Sequence, residues 1–249
     1  MNNEIRLIEP ISVWNNFTDL NSVPRPSKEE ERVIDFLIQF AKKLNLKYFQ
    51  DSVGNLIINK PSTDDMIKHK TIVLQSHVDM VHEKNNDVDF DFKKSGIKMK
   101  IDGDWVKARG TTLGADNGLG VASIMSILES DNISHPEIEA LFTIDEETGM
   151  TGALNLDGNV LKGEILLNLD TEEDDEICIG CAGGIDITIT KDLDTENVDV
   201  DSSFVKILVN GLTGGHSGAE IHKGLGNSNK ILNALLKNLD AKYNIRICE

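Results

Sequence analysis

Apolar side chains along this chain fall into two rhythms. Val33, Ile34, Leu37, Phe40, Ala41 and Leu44 recur at three- and four-residue intervals and so share one face of a helix. Ser27 and Glu30 stand at the capping-box spacing, which predicts that this helix begins at Ser27. Shorter runs then follow a strand rhythm. Lys47–Gln50 and Leu56–Asn59, separated by turn residues, predict a strand pair. Thr71–Ser76 is mostly apolar, suits a strand buried on both faces, and stops at His77-Val78-Asp79. Lys84 to Gly103 is a polar loop or hairpin excursion, followed by a further strand at Trp105–Ala108. A glycine-rich turn, Gly114–Gly120, runs into a helix over about Leu119–Glu129. Glu139–Ile144 is a strand ending at Asp145-Glu146-Glu147, and Glu164–Leu169 is a strand ending at Asp170. Strands alternating with helices predict an α/β layered sheet with helices on both faces.

The pattern changes after Gly183-Gly184. Ile185–Thr190 and Phe204–Asn210 predict strands around an acidic loop. A helix is expected from about Ser228 to Leu239 and another strand at Tyr243–Ile247. This order predicts two domains, residues 1–183 and an α+β domain over residues 184–249. The chain stops inside an apparent strand, an ending expected of an N-terminal fragment.

Composition narrows the chemistry. A net charge of -17 argues against a nucleic-acid partner, which needs clustered Lys and Arg. No run approaches the ~20 apolar residues of a membrane span. Glu4, Arg6 and Glu9 interrupt the N-terminus where a signal peptide would be apolar. These features predict a cytoplasmic protein. Three cysteines are too few for a disulfide framework, and Cys178-x-x-Cys181 lacks the second pair of a structural zinc site.

Four side chains with metal-ligand chemistry close predicted strands or the turns beside them: His77, Asp116, Glu147 and Asp170. In an open α/β sheet, ligands gather outside the carboxyl ends of the strands, so separate elements can bring these groups together. An imidazole with three carboxylates suits Zn²⁺, Mn²⁺ or Co²⁺, and a bridging carboxylate would let them hold two ions. Asp79 can orient His77 from two residues away. Glu146 and Glu147 are neighbours, so one can bind metal while the other faces a water, the arrangement a hydrolase requires. Nucleophile-elbow, phosphate-loop and H-E-x-x-H patterns are absent, and His69, His82, His135 and His222 have no motif around them.

Ser-His77-Val-Asp79-Met-Val, Thr-Thr-Leu-Gly-Ala-Asp116-Asn-Gly, Thr-Ile-Asp-Glu146-Glu147-Thr-Gly-Met-Thr-Gly-Ala, Asn-Leu-Asp170 and Gly-Cys-Ala-Gly-Gly together resemble the co-catalytic two-zinc metallopeptidases. Within that superfamily, which includes carnosinases, the chain is most similar to the aminoacyl-histidine (Xaa-His) dipeptidases over essentially its whole length. The resemblance implies a zinc-peptidase α/β domain carrying an inserted lid domain that mediates homodimerisation. It implies that His77 and Asp170 hold one zinc, Glu147 the other, and that Asp116 bridges. Asp79 would orient His77, Glu146 would be the general base, and His216 would be the lid histidine that reaches an active site, often the partner's. The family's fifth ligand, a histidine beyond the lid, has no match here. The expected activity is hydrolysis of unblocked dipeptides by metal-activated water. A tripeptidase, an acyl-amino-acid deacylase or a truncated non-catalytic remnant are the alternatives.

Overall fold

A computed structural model describes residues 4–171, 175–181, 183, 185, 187–197, 201–215, 218, 220–243 and 245–247. It divides into two compact units, Met1–Ile179 and Gly180–Glu249.

The first unit is a mixed α/β layer built on a five-stranded sheet. Its strands are β1 (Lys47–Gln50), β2 (Leu56–Lys60), β3 (Ile72–His77), β6 (Ile138–Thr143) and β7 (Ile165–Asn168), in the order β1-β2-β6-β3-β7. A separate hairpin pairs β4 (Met99–Asp102) with β5 (Trp105–Ala108). β1, β2 and β6 are antiparallel neighbours, whereas β6, β3 and β7 run parallel. Three consecutive strands therefore release their carboxyl ends on one side of the sheet.

Alternation along each strand sends neighbouring side chains to opposite faces. Leu56, Ile58, Leu74, Ala140 and Phe142 meet α2 (Glu31–Lys43) and α3 (Ala115–Glu129) through Val33, Ile34, Leu37, Val121, Ile124 and Met125. Ile57, Val73 and Leu141 face the other way, against Leu156, Val160 and Leu161. Helical segments thus lie on both faces, two long helices on one and the 3-10 turn Gly158–Val160, which follows the short α5 (Thr151–Leu154), on the other.

One expectation needs correction here. The helix begins at Glu31, with no side-chain cap, and not at Ser27. Ser27 Oγ instead donates to Asp79 (2.8 Å), while the Glu30 carboxylate accepts from the N–H groups of Lys28 (2.7 Å) and Asp145 (3.2 Å). The box residues serve the sheet end instead of the helix end. Helix α1 (Ile11–Leu20), in contrast, was not legible in the pattern. It packs Phe17 onto α3 and donates from Asn16 to Ser126 (3.1 Å) and Glu129 (3.0 Å).

In the second unit α6 (Ser228–Asp240) forms where expected, its first turn capped by Asn227, whose side chain accepts from the N–H of Lys230 (3.0 Å). The strands expected at residues 185–190, 204–210 and 243–247 are not formed among the described residues. A β-branched run becomes a strand only when a neighbour takes its backbone groups, and none of these described residues has a ladder partner among the described residues.

Phe142 has no solvent exposure and lies at the centre of the larger core. Phe142→Ala should destabilise the chain by about 3–5 kcal/mol in urea unfolding. Tyr48→Ala on the exposed edge strand should stay within about 0.5 kcal/mol. Equal effects would contradict this placement of the core.

Candidate metal centre

β3 ends at His77, whose side chain is 1% exposed. Its Nδ1 lies 3.2 Å from Asp79 Oδ1, and its Nε2 lies 3.0 Å from Asp116 Oδ1, 3.8 Å from Asp170 Oδ2 and 4.0 Å from Glu146 Oε2. Four elements supply these groups. Asp79 follows β3, Asp116 opens α3, Glu146 and Glu147 begin the short helix α4 (Glu146–Gly149) after β6, and Asp170 follows β7.

Each acid is placed by local structure. Gly114 takes the left-handed conformation (φ 70°) that swings the chain into α3, and Asp116 and Asn117 keep non-helical backbone angles inside the first turn. Asn117 is buried and ties three elements together. Its Nδ2 donates to Leu169 O (3.0 Å) and Asp170 Oδ1 (3.0 Å), and the Ser76 hydroxyl donates to its backbone carbonyl (3.2 Å). Asp79 accepts from Ser27 Oγ and from the backbone N–H groups of Glu146 (3.0 Å) and Glu147 (3.2 Å), so one carboxylate sets both His77 and the start of α4.

Two overlapping trios could hold cations: His77 with Glu146 and Asp170, and His77 with Asp116 and Glu147. A third acidic group, Glu30, Asp79 and Asp145, is buried beside them. It is occupied by internal donors, including the hydroxyls of Thr148 and Thr151 on Asp145. The residues expected from the sequence are therefore brought together, with Glu146 as close to His77 and Asp170 as a ligand would be. His216 lies outside the described residues. Arg25 and Asn117 carry no expectation from the sequence, and Ser27 only that of a helix cap. The available signals were a cation between two prolines and an Asn beside Asp116.

The electrostatics report a surplus of negative charge. Burial opposes charging of His77, but the hydrogen bond to Asp116 and then that to Asp79 outweigh it and lift the imidazole to about 10. The bond to His77 in turn holds Asp116 below the ordinary carboxylate range. Burial works against ionised Asp79, but bonds from His77, the Glu146 N–H and Ser27 keep it low. Asp170 is pushed up to about 6, first by burial and then, against the pull of His77, by Asp116 and Glu146. Burial and Asp116 also raise Glu147. One imidazolium cannot balance this many carboxylates. Imidazole plus carboxylate oxygens at bridging range is a donor set that fits divalent cations.

The family model for peptidase family M20/M25/M40 matches residues 73–226. The chain belongs to this family. Its matched span contains every one of these acids and His77. The chain is 46% identical over 246 residues to the cytosol non-specific dipeptidase of Escherichia coli, covering 99% of this chain and 51% of that protein. It is similar to the crystal structure of the aminoacylhistidine dipeptidase from Vibrio alginolyticus (TM-score 0.73, 42% identity, 96% of this chain and 50% of that one). It is also similar to that of the aminopeptidase PepT from Bacillus cereus (TM-score 0.57, 29% identity, 67% and 44%). The chain thus spans about half the length of the family members it matches.

The raised carboxylate gives a signed test. Asp170 titrates near 6 in the fold against about 3.9 unfolded, so its ionisation costs stability increasingly from about pH 4 to 6, and fully above that. In chelator-treated protein, Asp170→Asn should therefore stabilise the chain at pH 7.5 by about 1–2 kcal/mol, discounted for partial exposure, with no gain below about pH 4. Chemical unfolding at the two pH values would show this. A destabilised variant at pH 7.5 would contradict the charge-surplus account.

Proposed function

We propose that the chain carries the metal-binding part of a cytoplasmic two-metal dipeptidase that hydrolyses unblocked dipeptides, Xaa-His among them. The observation that carries this reading is the surroundings of His77 Nε2, with Asp116, Asp170 and Glu146 within 3.0 to 4.0 Å while Nδ1 is engaged by Asp79. The dipeptidases among its relatives support the substrate class, and no described helix is long and apolar enough to cross a membrane.

His77 and Asp170 would hold one ion, Glu147 the other, and Asp116 would reach both, with zinc the best match and manganese or cobalt next. Ions held there would supply Lewis acidity, making water a nucleophile at neutral pH and polarising the scissile carbonyl. With Asp79 accepting the Nδ1 proton of His77, Nε2 would give up its own proton and offer its lone pair to a bound cation. Glu146 takes the proton that water loses as its oxygen adds to the peptide carbonyl carbon. It returns that proton to the amine nitrogen as the C–N bond breaks. His216, on the strength of the sequence motif alone, would offer an N–H to the carbonyl oxygen that gains charge, across a homodimer.

In the whole protein, Glu146→Gln should keep its metal content and lose about two to four orders of magnitude in turnover. Glu147→Gln should lose one equivalent of metal. Both glutamates stand within reach of His77, so metal analysis beside dipeptide assays decides between them. The opposite pattern would exchange their roles, and near-normal turnover in both variants would remove the pair from the reaction.

A further inference from the structure

Arg25 lies on the segment joining α1 to α2, between Pro24 and Pro26, and is 1% exposed. Among the described residues no carboxylate pairs with it. Its hydrogen bonds go to uncharged oxygens, and three of the four belong to the two segments that carry the metal-centre side chains. Nη1 donates to the carbonyls of Val78 (3.0 Å) and Asp79 (3.1 Å), on the exit of β3 just after His77. Nη2 donates to the carbonyl of Gly114 (2.5 Å), two residues before Asp116, and to Asn21 Oδ1 (3.0 Å).

The surroundings are shaped to admit this group. A Cβ on Gly114 would come within 2.5 Å of Nη2, and one on Gly118 within 2.6 Å, so the start of α3 is bare where the guanidinium passes. The segment is held on its other side as well. Pro26 forms an isolated parallel bridge with Met80, and Ser27 Oγ donates to Asp79. Prolines on both sides of Arg25 restrict the backbone that presents it.

We propose that Arg25 is a positioning residue of the metal centre, a clamp whose two terminal nitrogens hold the β3 exit, with His77 and Asp79, in register with the turn that carries Asp116. The planar fork is what the task requires. It presents several donors in fixed directions to oxygens on two segments, whereas a lysine ammonium is a point charge on a flexible stem. Burying an unpaired cation is costly, and Asp79, Asp116 and Glu147 act on it only through space. A residue that merely filled space there would not need a charge.

The inference rests on the metal-centre reading, and the test separates the two. Co²⁺ is titrated into the full chain, reading both affinity and the visible absorption of the bound ion. Arg25→Lys should bind Co²⁺ 10- to 100-fold more weakly with an altered spectrum, the usual cost of disturbing groups that orient ligands. Arg25→Met should be at least as weak. Leu141→Ala, in the core on the opposite face, should lower the melting temperature while leaving Co²⁺ affinity and spectrum unchanged. If Arg25→Met does not fold, Asn21→Ala takes its place. It removes one Nη2 partner, keeps the arginine, and should weaken binding several-fold. Wild-type affinity and spectrum in Arg25→Lys, or an equal loss in Leu141→Ala, would overturn the clamp and leave the metal centre standing. A wild-type chain that binds no Co²⁺ would overturn the metal centre, and the clamp with it.

Discussion

Asp79 carries a carboxylate at a position with no solvent exposure, and its ionisation is tolerable only because donors converge on it from three directions. Those donors are the imidazole at the end of β3, the hydroxyl of Ser27, and the first N–H groups of α4. Satisfying this one charge fixes how the β3 exit, the α1–α2 connection and the start of α4 meet. Two of the four candidate ligand-bearing elements, β3 and α4, are held together through Asp79 by hydrogen bonds within the chain. A single orienting carboxylate thereby acts as the anchor of a site assembled from distant parts of the chain.

Above that anchor the charge is left unbalanced. Asp170 and Glu147 are raised, Asp116 is lowered, and all three share one imidazole. A fold selected for stability alone would replace some of these acids with amides. Retaining them stores an electrostatic penalty that a divalent cation would relieve, the kind of exchange between stability and function expected of a metal site.

Much of this was legible in the sequence, for definite physical reasons. β3 and β6 are buried on both faces, so their apolar runs stand out, and the acids that end them stand out by contrast. The periodicity of α2 was clear, but its start was misplaced because Ser27 and Glu30 have the spacing of a cap and the job of a scaffold. Helix α1 escaped notice because its buried face includes Asn16 and Thr18 beside Phe17 and Leu20, which blurs the apolar stripe. Strands expected beyond residue 184 were read from composition, which records a preference for pairing without supplying the partner. Asn117 and Arg25 were invisible for another reason. Their importance lies in contacts 41 to 89 residues away in sequence, which no local pattern reports.

The close approach of Gly118 to Arg25 also constrains how the protein can change over evolutionary time. With arginine in place, any side chain at 118 meets both Nη2 and the Phe17 ring, at 2.6 and 2.9 Å. A methyl group there requires position 25 to shrink and the Phe17 ring to shift, and a shrunken position 25 leaves space that the methyl group would help fill. Substitutions at the two positions are therefore non-additive. Loss of the arginine removes one of the two overlaps and leaves the ring, whereas a side chain at 118 with the arginine in place meets both, so what is tolerated at 118 depends on the residues at 25 and 17.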